Sequence, residues 1–248
     1  MNTGFSDELI RRLRAAQRVV VLTGAGISAE SGVPTFRAPD GLWSKFKPEE
    51  LANMEAFLRN PALVWQWYQH RRDILETVKP NPGHETLAEM ERHYPDFIIY
   101  TQNVDGLHQR AGSRRVAELH GNISRCRCTT CLQIIQEIDR GQDGIPMCPC
   151  GGMARPDVVW FGEIPYHMDQ IWDALREADL FVSIGTSGQV YPAAAFAQDA
   201  ARAGARTLEL NLDPSALSAE FDESRQGPAT RLVPEWVNSL LGGRRSPI

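Results

Sequence analysis

The chain has 248 residues, of which 42% are hydrophobic and 23% charged, and a formal net charge of -5. These values suit a soluble globular protein with one large domain, or one domain carrying a smaller insert. The acidic balance gives no electrostatic reason to bind nucleic acid, and no apolar run approaches the roughly 20 residues of a transmembrane helix. Met1 to Gln17 contains Asp7 and Glu8 and lacks a continuous apolar core. Neither a signal nor a transit peptide is expected there, and a cytosolic protein with no membrane contact is. Nothing in the sequence requires an oligomer, so a monomer is expected.

In chain order, Ser6 is suited to cap a short helix with Leu9, Ile10 and Leu13 on one face. Val19-Val20-Val21-Leu22 then reads as a strand buried on both faces, as in parallel sheets. It breaks into Gly24-Ala25-Gly26-Ile27-Ser28-Ala29, the G-x-G-x-x-A form of a dinucleotide fingerprint. Gly24 permits the tight turn, Gly26 lets backbone approach a pyrophosphate, and Ala29 lets the next helix pack close. The helix N-terminus offers unpaired N–H groups to phosphate. Gly32 and Pro34 are expected to stop this helix after about two turns. A loop from Thr35 to Trp43, carrying Phe36 and Arg37, follows over the phosphate site.

Short helical pieces are expected between Pro48 and Leu58. Asn60-Pro61 and Asn81-Pro82 each pair an N-cap with a first-turn proline. They predict helices to about Val78, with Leu63, Val64, Trp67, Ile74 and Leu75 inward, and to about His93. Strands are predicted at Phe97–Tyr100, Val116–Leu119, Val158–Phe161, Asp179–Ile184 and Thr207–Leu210, and a closing helix at Pro234–Leu241. Strand after strand ends in small polar residues: Gly24, Gln102, Gly185-Thr186-Ser187, Asn211-Leu212-Asp213. In a doubly wound parallel sheet, ligands bind beyond the carboxyl ends of the strands. The expected fold is therefore α/β and Rossmann-like. Residues 1–38, 94–120 and 156–248 are assigned to the dinucleotide-binding domain. The inserts 39–93 and 121–155 break the strand–helix alternation and are assigned to a smaller domain.

Five cysteines lie between Cys126 and Cys150. In a cytosolic chain this suggests metal rather than disulfides. Cys128-x2-Cys131, then 16 residues, then Cys148-x-Cys150 reads as a four-cysteine zinc ribbon. Cys126 is a spare thiol able to replace one ligand, and a set of reduced structural thiols is the plain alternative. Four thiolates leave zinc no open position, so one ion would be structural. His120 ends a strand as Leu119-His120-Gly121, and an imidazole titrates near neutrality. By position alone, none of the six histidines stands out as a base. Tyr68 and Arg71 share a helix face, with Arg72 also within reach of Tyr68. On residues alone such a pair is ordinary solvated helix surface.

The stretch from Val19 through Gly41-Leu42-Trp43 resembles the signature of the sirtuins, NAD-consuming protein lysine deacylases. The likeness runs from about Ala16 to Leu241, with the motifs in order. It is nearest to the bacterial class III sirtuins of the cobalamin-biosynthesis B type. The resemblance implies that Gly24, Ala25, Gly26, Ile27 and Ser28 hold the NAD pyrophosphate under the loop of Phe36, Arg37 and Trp43. It implies that Gln102, Asn103 and Asp105 surround nicotinamide and its ribose, with Asn103 also catalytic. Gly185, Thr186, Ser187, Asn211, Leu212, Asp213 and Ala229 would hold the adenosine half. His120, in H-G before the cysteines, matches the catalytic base. Val159, Trp160 and Phe161 resemble the substrate strand, where an extended peptide adds by main-chain pairing. The family's second cysteine pair is usually C-x2-C, and here it is C-x-C.

In the class III branch, a Tyr-x-x-Arg pair matching Tyr68 and Arg71 holds the carboxylate of succinyl- or malonyl-lysine. A guanidinium grips a carboxylate bidentately, and a phenol adds one donor. Ala52 resembles the small residue that widens that acyl pocket. The implied reaction moves the acyl group from lysine to ADP-ribose, releasing nicotinamide, free lysine and 2′-O-acyl-ADP-ribose. The implied partners are acyl-lysine proteins or peptides. The runner-up is a plain deacetylase. A nicotinamide dehydrogenase lacks its second strand and acidic ribose ligand here. A zinc-ribbon binding module leaves Gly24 to Trp43 unexplained, and a mono-ADP-ribosyltransferase is the remotest alternative.

Overall fold

A computed structural model describes residues 5, 11, 15–34, 51–135 and 144–241. Phe36, Arg37 and Trp43, and Ser6, Leu9, Ile10 and Leu13 of the expected first helix, lie outside the described residues.

The first strand, β1 (Arg18–Thr23), is followed by a single helical turn, α1 (Gly26–Ala29). This is shorter than the two turns expected. Gly32 turns the chain at φ +92°, a conformation glycine adopts without strain. The insert then forms α2 (Met54–Arg59), α3 (Pro61–Thr77) and α4 (Pro82–His93). Both Asn-Pro starts are as predicted. Asn60 Oδ1 accepts from Leu63 N at 3.1 Å and Asn81 Oδ1 from Gly83 N at 2.9 Å. Leu63, expected inward, is 42% exposed, because the buried face of α3 runs through Val64, Trp67, Tyr68 and Leu75.

The chain continues through β2 (Asp96–Thr101), α5 (Leu107–Arg110), β3 (Val116–Glu118), β4 (Gly121–Cys128), β5 (Ile134–Ile135) and β6 (Ala154–Val158). The strand expected at Val158–Phe161 therefore sits four residues earlier, and Val159 and Trp160 lie beyond its end. Next come α6 (Met168–Arg176), β7 (Leu180–Ile184), α7 (Phe196–Arg202), β8 (Arg206–Asn211), β9 (Glu223–Gln226) and α8 (Ala229–Leu241). Helix α8 starts five residues before the expected Pro234, which lies inside it. Polar β9 carries no apolar pattern to read, whereas α6 sets Met168, Ile171, Trp172 and Leu175 at helical spacing, a signal that sequence reasoning overlooked.

Among the described residues the main sheet has six strands, in the order β3-β2-β1-β7-β8-β9, and every pair is parallel. Strand β1 is central, and its four apolar residues serve both faces. Val19 and Val21 pack with Leu87, Val233 and Trp236. Val20 and Leu22 pack with Ile171, Phe181 and Phe196 on the other face. This double burial explains the unbroken apolar run. The chain leaves β1 first toward β2 and β3, then returns on its other side as β7, β8 and β9. The strand order thus reverses between β1 and β7, where such Rossmann-like sheets open a crevice at their carboxyl ends.

The second sheet, β5-β4-β6, is antiparallel. It packs against the helical insert in a shared core of Leu51, Phe57, Trp65, Tyr68, Ile123 and Trp160. Trp65 Nε1 donates to Ala154 O at 3.0 Å, and Arg72 Nε to Ile123 O at 2.6 Å. Arg72 is therefore a buried fastener of helix to sheet, not a second cation beside Tyr68. No helix among the described residues is long and apolar enough to cross a membrane.

Candidate active site

The reversal point is built from two glycine turns in contact. Gly24 N donates to Ile184 O at 3.0 Å and Gly26 N to Gly185 O at 2.9 Å. A Cβ on Gly26 would lie 2.6 Å from Gly185 Cα, and one on Gly185 2.4 Å from Ile27 N. The glycines expected to admit a phosphate thus first admit each other. Ile27 is fully buried in the core, and its backbone is engaged by Gly24 O and by Asn81 Nδ2, so it serves to anchor the turn.

Asn103 and Asp105, beyond β2, converge on the same turn. Asn103 Nδ2 donates to Gly24 O at 3.1 Å and to Ser28 Oγ at 3.2 Å. Ser28 Oγ donates to Asp105 Oδ2 at 2.7 Å, and Leu107 N to Asp105 Oδ1 at 2.9 Å. Burial raises the Asp105 pKa, and these two donors oppose it. One hollow is lined by Ala25, Pro34, Arg71, Asn103, Val104 and Asp105. Gln102 lines a second hollow with Ser183, Thr186, Ser187, Ser215 and Leu217. Asn211 Nδ2 ties the edge together by donating to Thr186 O at 2.7 Å. Ala229 is buried at the start of α8, while Leu212 is 63% exposed and Asp213 is exposed.

His120 is half-buried, with Nδ1 3.0 Å from Gln102 O. A carbonyl only accepts, so Nδ1 carries the proton and Nε2 keeps its lone pair. Burial lowers the His120 pKa against the opposing pull of the Gln102 carbonyl. The ring is thus neutral and basic at Nε2 near pH 7.

Sequence reasoning overlooked two further histidines under the site. Asn81 N donates to His84 Nδ1 at 3.3 Å, which leaves Nε2–H to donate to Ser28 Oγ at 3.3 Å. His108 Nε2 lies 2.9 Å from Thr23 Oγ1, with its ring 4.9 Å from that of His84. Burial holds their pKa values at about 4 and about 3, with His84 adding to the fall at His108. Both are neutral: His84 supports Ser28 directly, and His108 backs His84 and Thr23. Only the capping position of His84, three residues after Asn81, was visible beforehand.

On α3, Tyr68 is 1% exposed, and its hydroxyl accepts from Trp160 Nε1 at 2.8 Å. Arg71 is half-buried, its guanidinium 4.8 Å from the Trp67 ring and 5.8 Å from that of Tyr68. Burial lowers the Arg71 pKa and raises that of Tyr68. Ala52 is buried, and its carbonyl accepts from Phe161 N at 3.0 Å. Val159 N donates to His120 O at 2.9 Å, which links the 159–161 segment to the proposed base. Trp160 is buried but Phe161 is 62% exposed, so Phe161 does not share the enclosed position of Trp160.

The four sulfurs of Cys128, Cys131, Cys148 and Cys150 lie within 4.8 Å of one another. The Cys128–Cys150 and Cys131–Cys148 separations are 3.4 and 3.7 Å. A tetrahedron with zinc–sulfur bonds of about 2.3 Å has edges of about 3.8 Å, so the cluster suits one structural zinc ion. The short C-x-C pair works because Gly151, at φ +85°, and Gly152 form a tight turn. A Cβ on Gly152 would stand 2.5 Å from Thr130 Oγ1 and 2.8 Å from Cys128 Sγ. The amides of Cys131 and Thr130 donate to Cys128 Sγ and help lower its pKa to about 6. Cys126 is buried outside this cluster, its sulfur 4.0 Å from the Arg72 guanidinium.

The Sir2 family profile matches residues 24–192. An NAD-dependent protein deacylase of Aquifex aeolicus is 52% identical over 91% of this chain and 98% of its own. One from Escherichia coli is 45% identical over 98% and 88%, respectively. Among solved structures, a Sir2 homologue–NAD complex superposes with a TM-score of 0.89 at 39% identity, covering 96% of this chain and 95% of its own. A Sir2–p53 peptide–NAD+ complex gives 0.81 at 28% identity, covering 96% and 97%. With this agreement across the glycine turns, the parallel sheet and the cysteine cluster, the chain belongs to the Sir2 family of NAD-dependent protein deacylases.

Proposed function

We propose that this deacylase removes succinyl and malonyl groups, as well as acetyl groups, from protein lysine side chains, giving nicotinamide and 2′-O-acyl-ADP-ribose. The carrying observation is the pairing of Arg71 and Tyr68 on α3, with Arg71 lining the same hollow as Ala25, Asn103 and Asp105. A guanidinium and a phenol hydroxyl on one helix face favour a carboxylate over a methyl group. Buried Ala52 leaves room for the longer acyl chain.

NAD supplies an electrophilic ribose carbon once nicotinamide leaves. This chain's residues do the rest. Gly24 to Ser28 form the turn against which the pyrophosphate lies, as in related glycine turns, while the N–H groups of Gly24 and Gly26 bind Ile184 O and Gly185 O. Gln102, Asn103 and Asp105 serve nicotinamide and its ribose, and Asn103 orients the reacting end. Gly185, Thr186, Ser187, Asn211, Leu212, Asp213 and Ala229 serve the adenosine half, and Phe36, Arg37 and Trp43 the covering loop. His120 Nε2 accepts a proton from the ribose hydroxyls, with Gln102 O fixing its tautomer. Val159 and Trp160 serve the acyl-lysine peptide, with Phe161 at the solvent side. Cys128, Cys131, Cys148 and Cys150 hold one structural zinc. Residues 1–38, 94–120 and 156–248 act as the NAD-binding domain, with 39–93 and 121–155 as the small one.

The test is NAD-dependent deacylation of one peptide in acetyl-lysine and succinyl-lysine forms, comparing wild type with Arg71→Met. Losing a charged bidentate contact should lower desuccinylation about thirtyfold relative to deacetylation. An equal fall in both would leave Arg71 a structural residue and the chain a plain deacetylase.

A further inference from the structure

Trp160 is 2% exposed and held from several sides. Its backbone N donates to Glu163 Oε2 at 2.8 Å. The Arg155 guanidinium grips both oxygens of that carboxylate, at 2.7 and 2.8 Å, and lies 4.0 Å from the Trp160 ring centroid. The Phe57 ring packs on the indole at 5.5 Å. So fixed, the indole directs its single N–H at Tyr68 Oη, 2.8 Å away.

An indole N–H only donates, so here the Tyr68 oxygen must accept. The hydroxyl proton is thereby turned away from Trp160 and left to be given elsewhere. A carboxylate takes only donors, whereas an acetyl methyl takes none. A hydroxyl already turned to donate loses less rotational freedom on meeting a carboxylate.

We infer that Trp160 is a positioning residue for acyl selectivity: its indole N–H sets Tyr68 as a donor to acidic acyl groups, backed by the Arg155–Glu163 clamp. This rests on the acidic-acyl reading of Tyr68 and Arg71. Burial favours the protonated phenol, consistent with a lasting donor.

The experiment measures kcat and KM on succinyl- and acetyl-lysine forms of one peptide. It uses wild type, Trp160→Phe, Tyr68→Phe, the double variant and Arg71→Met. Trp160→Phe keeps a ring against Arg155 and Phe57 but deletes the N–H. The succinyl-to-acetyl ratio of kcat/KM should fall about fivefold, chiefly through KM for the succinyl peptide. The double variant should fall no further than Tyr68→Phe, because both changes remove one interaction. An unchanged ratio in Trp160→Phe, or a double variant equal to the product of the singles, overturns the inference. If Arg71→Met collapses the ratio while Trp160→Phe does not, this inference alone fails. If Arg71→Met leaves the ratio unchanged, the acidic-acyl reading fails and takes this one with it. Should Trp160→Phe not fold, the indole 15N–H spectrum decides. One of the six tryptophan signals should move upfield in Tyr68→Phe, and no movement would overturn the hydrogen bond's role.

Discussion

Gly185 and Gly26 lie back to back, with Gly26 N donating to Gly185 O at 2.9 Å. A Cβ on either would meet the other's backbone inside 3 Å, and Gly185 also holds φ +63°. The two turns that end β1 and β7 therefore share one space. Gly185→Ala should cost roughly 2–3 kcal/mol and weaken NAD binding, since backbone must shift at the phosphate edge. Gly112→Ala, at φ +103° with nothing within 4 Å of its Cβ position, is the control. Urea unfolding and NAD titration of both variants decide it. Equal losses would mean that the left-handed backbone alone, and not the contact, matters.

The purified chain should carry one zinc per molecule by elemental analysis. Cys150→Ser should lose the metal and, with it, folding energy. Cys126→Ser should keep it, because Cys126 sits outside the four-sulfur cluster and beside Arg72. Zinc retained in Cys150→Ser but lost in Cys126→Ser would reverse the ligand assignment.

For His120 the pH dependence has a definite sign. Burial lowers its pKa, and the neutral ring is the proton acceptor. Activity should therefore persist above the unperturbed value of about 6.5 and decline only at lower pH, as Nε2 takes a proton. His120→Asn should lose about a hundredfold or more in kcat/KM. A pH–rate profile with its acid midpoint at or above 6.5 would contradict this.

His84 and His108 make the fold acid-sensitive. Their folded pKa values, about 4 and about 3, lie below the unfolded value of about 6.5. Stability is full above 6.5 and is lost as pH falls toward 4, because the unfolded state binds the proton first. At pH 5 each histidine should cost on the order of 2 kcal/mol. The thermal midpoint of His108→Gln should depend less steeply on pH between 7 and 5 than that of wild type. Parallel curves would remove His108 from the account.

The sequence alone determined what is written in local chemistry. The apolar run of β1, both Asn-Pro helix starts, the glycine turn and the paired cysteines each depend on neighbouring residues, so their patterns survive without the fold. The Rossmann-like class followed, because strands ending in small polar residues place those ends on one edge. Tertiary structure alone decided the rest, since long-range contacts carry no local pattern. It set Gly185 against Gly26 and turned Arg72 into a fastener rather than a cation beside Tyr68. It brought buried His84 against Ser28, and His108 against His84 and Thr23. It moved the 158–161 strand back to 154–158, where pairing with β4 ends and Trp160 is left to point its indole at Tyr68. Residues 92 positions apart in the chain share that hydrogen bond, and only packing two inserts into one core could join them.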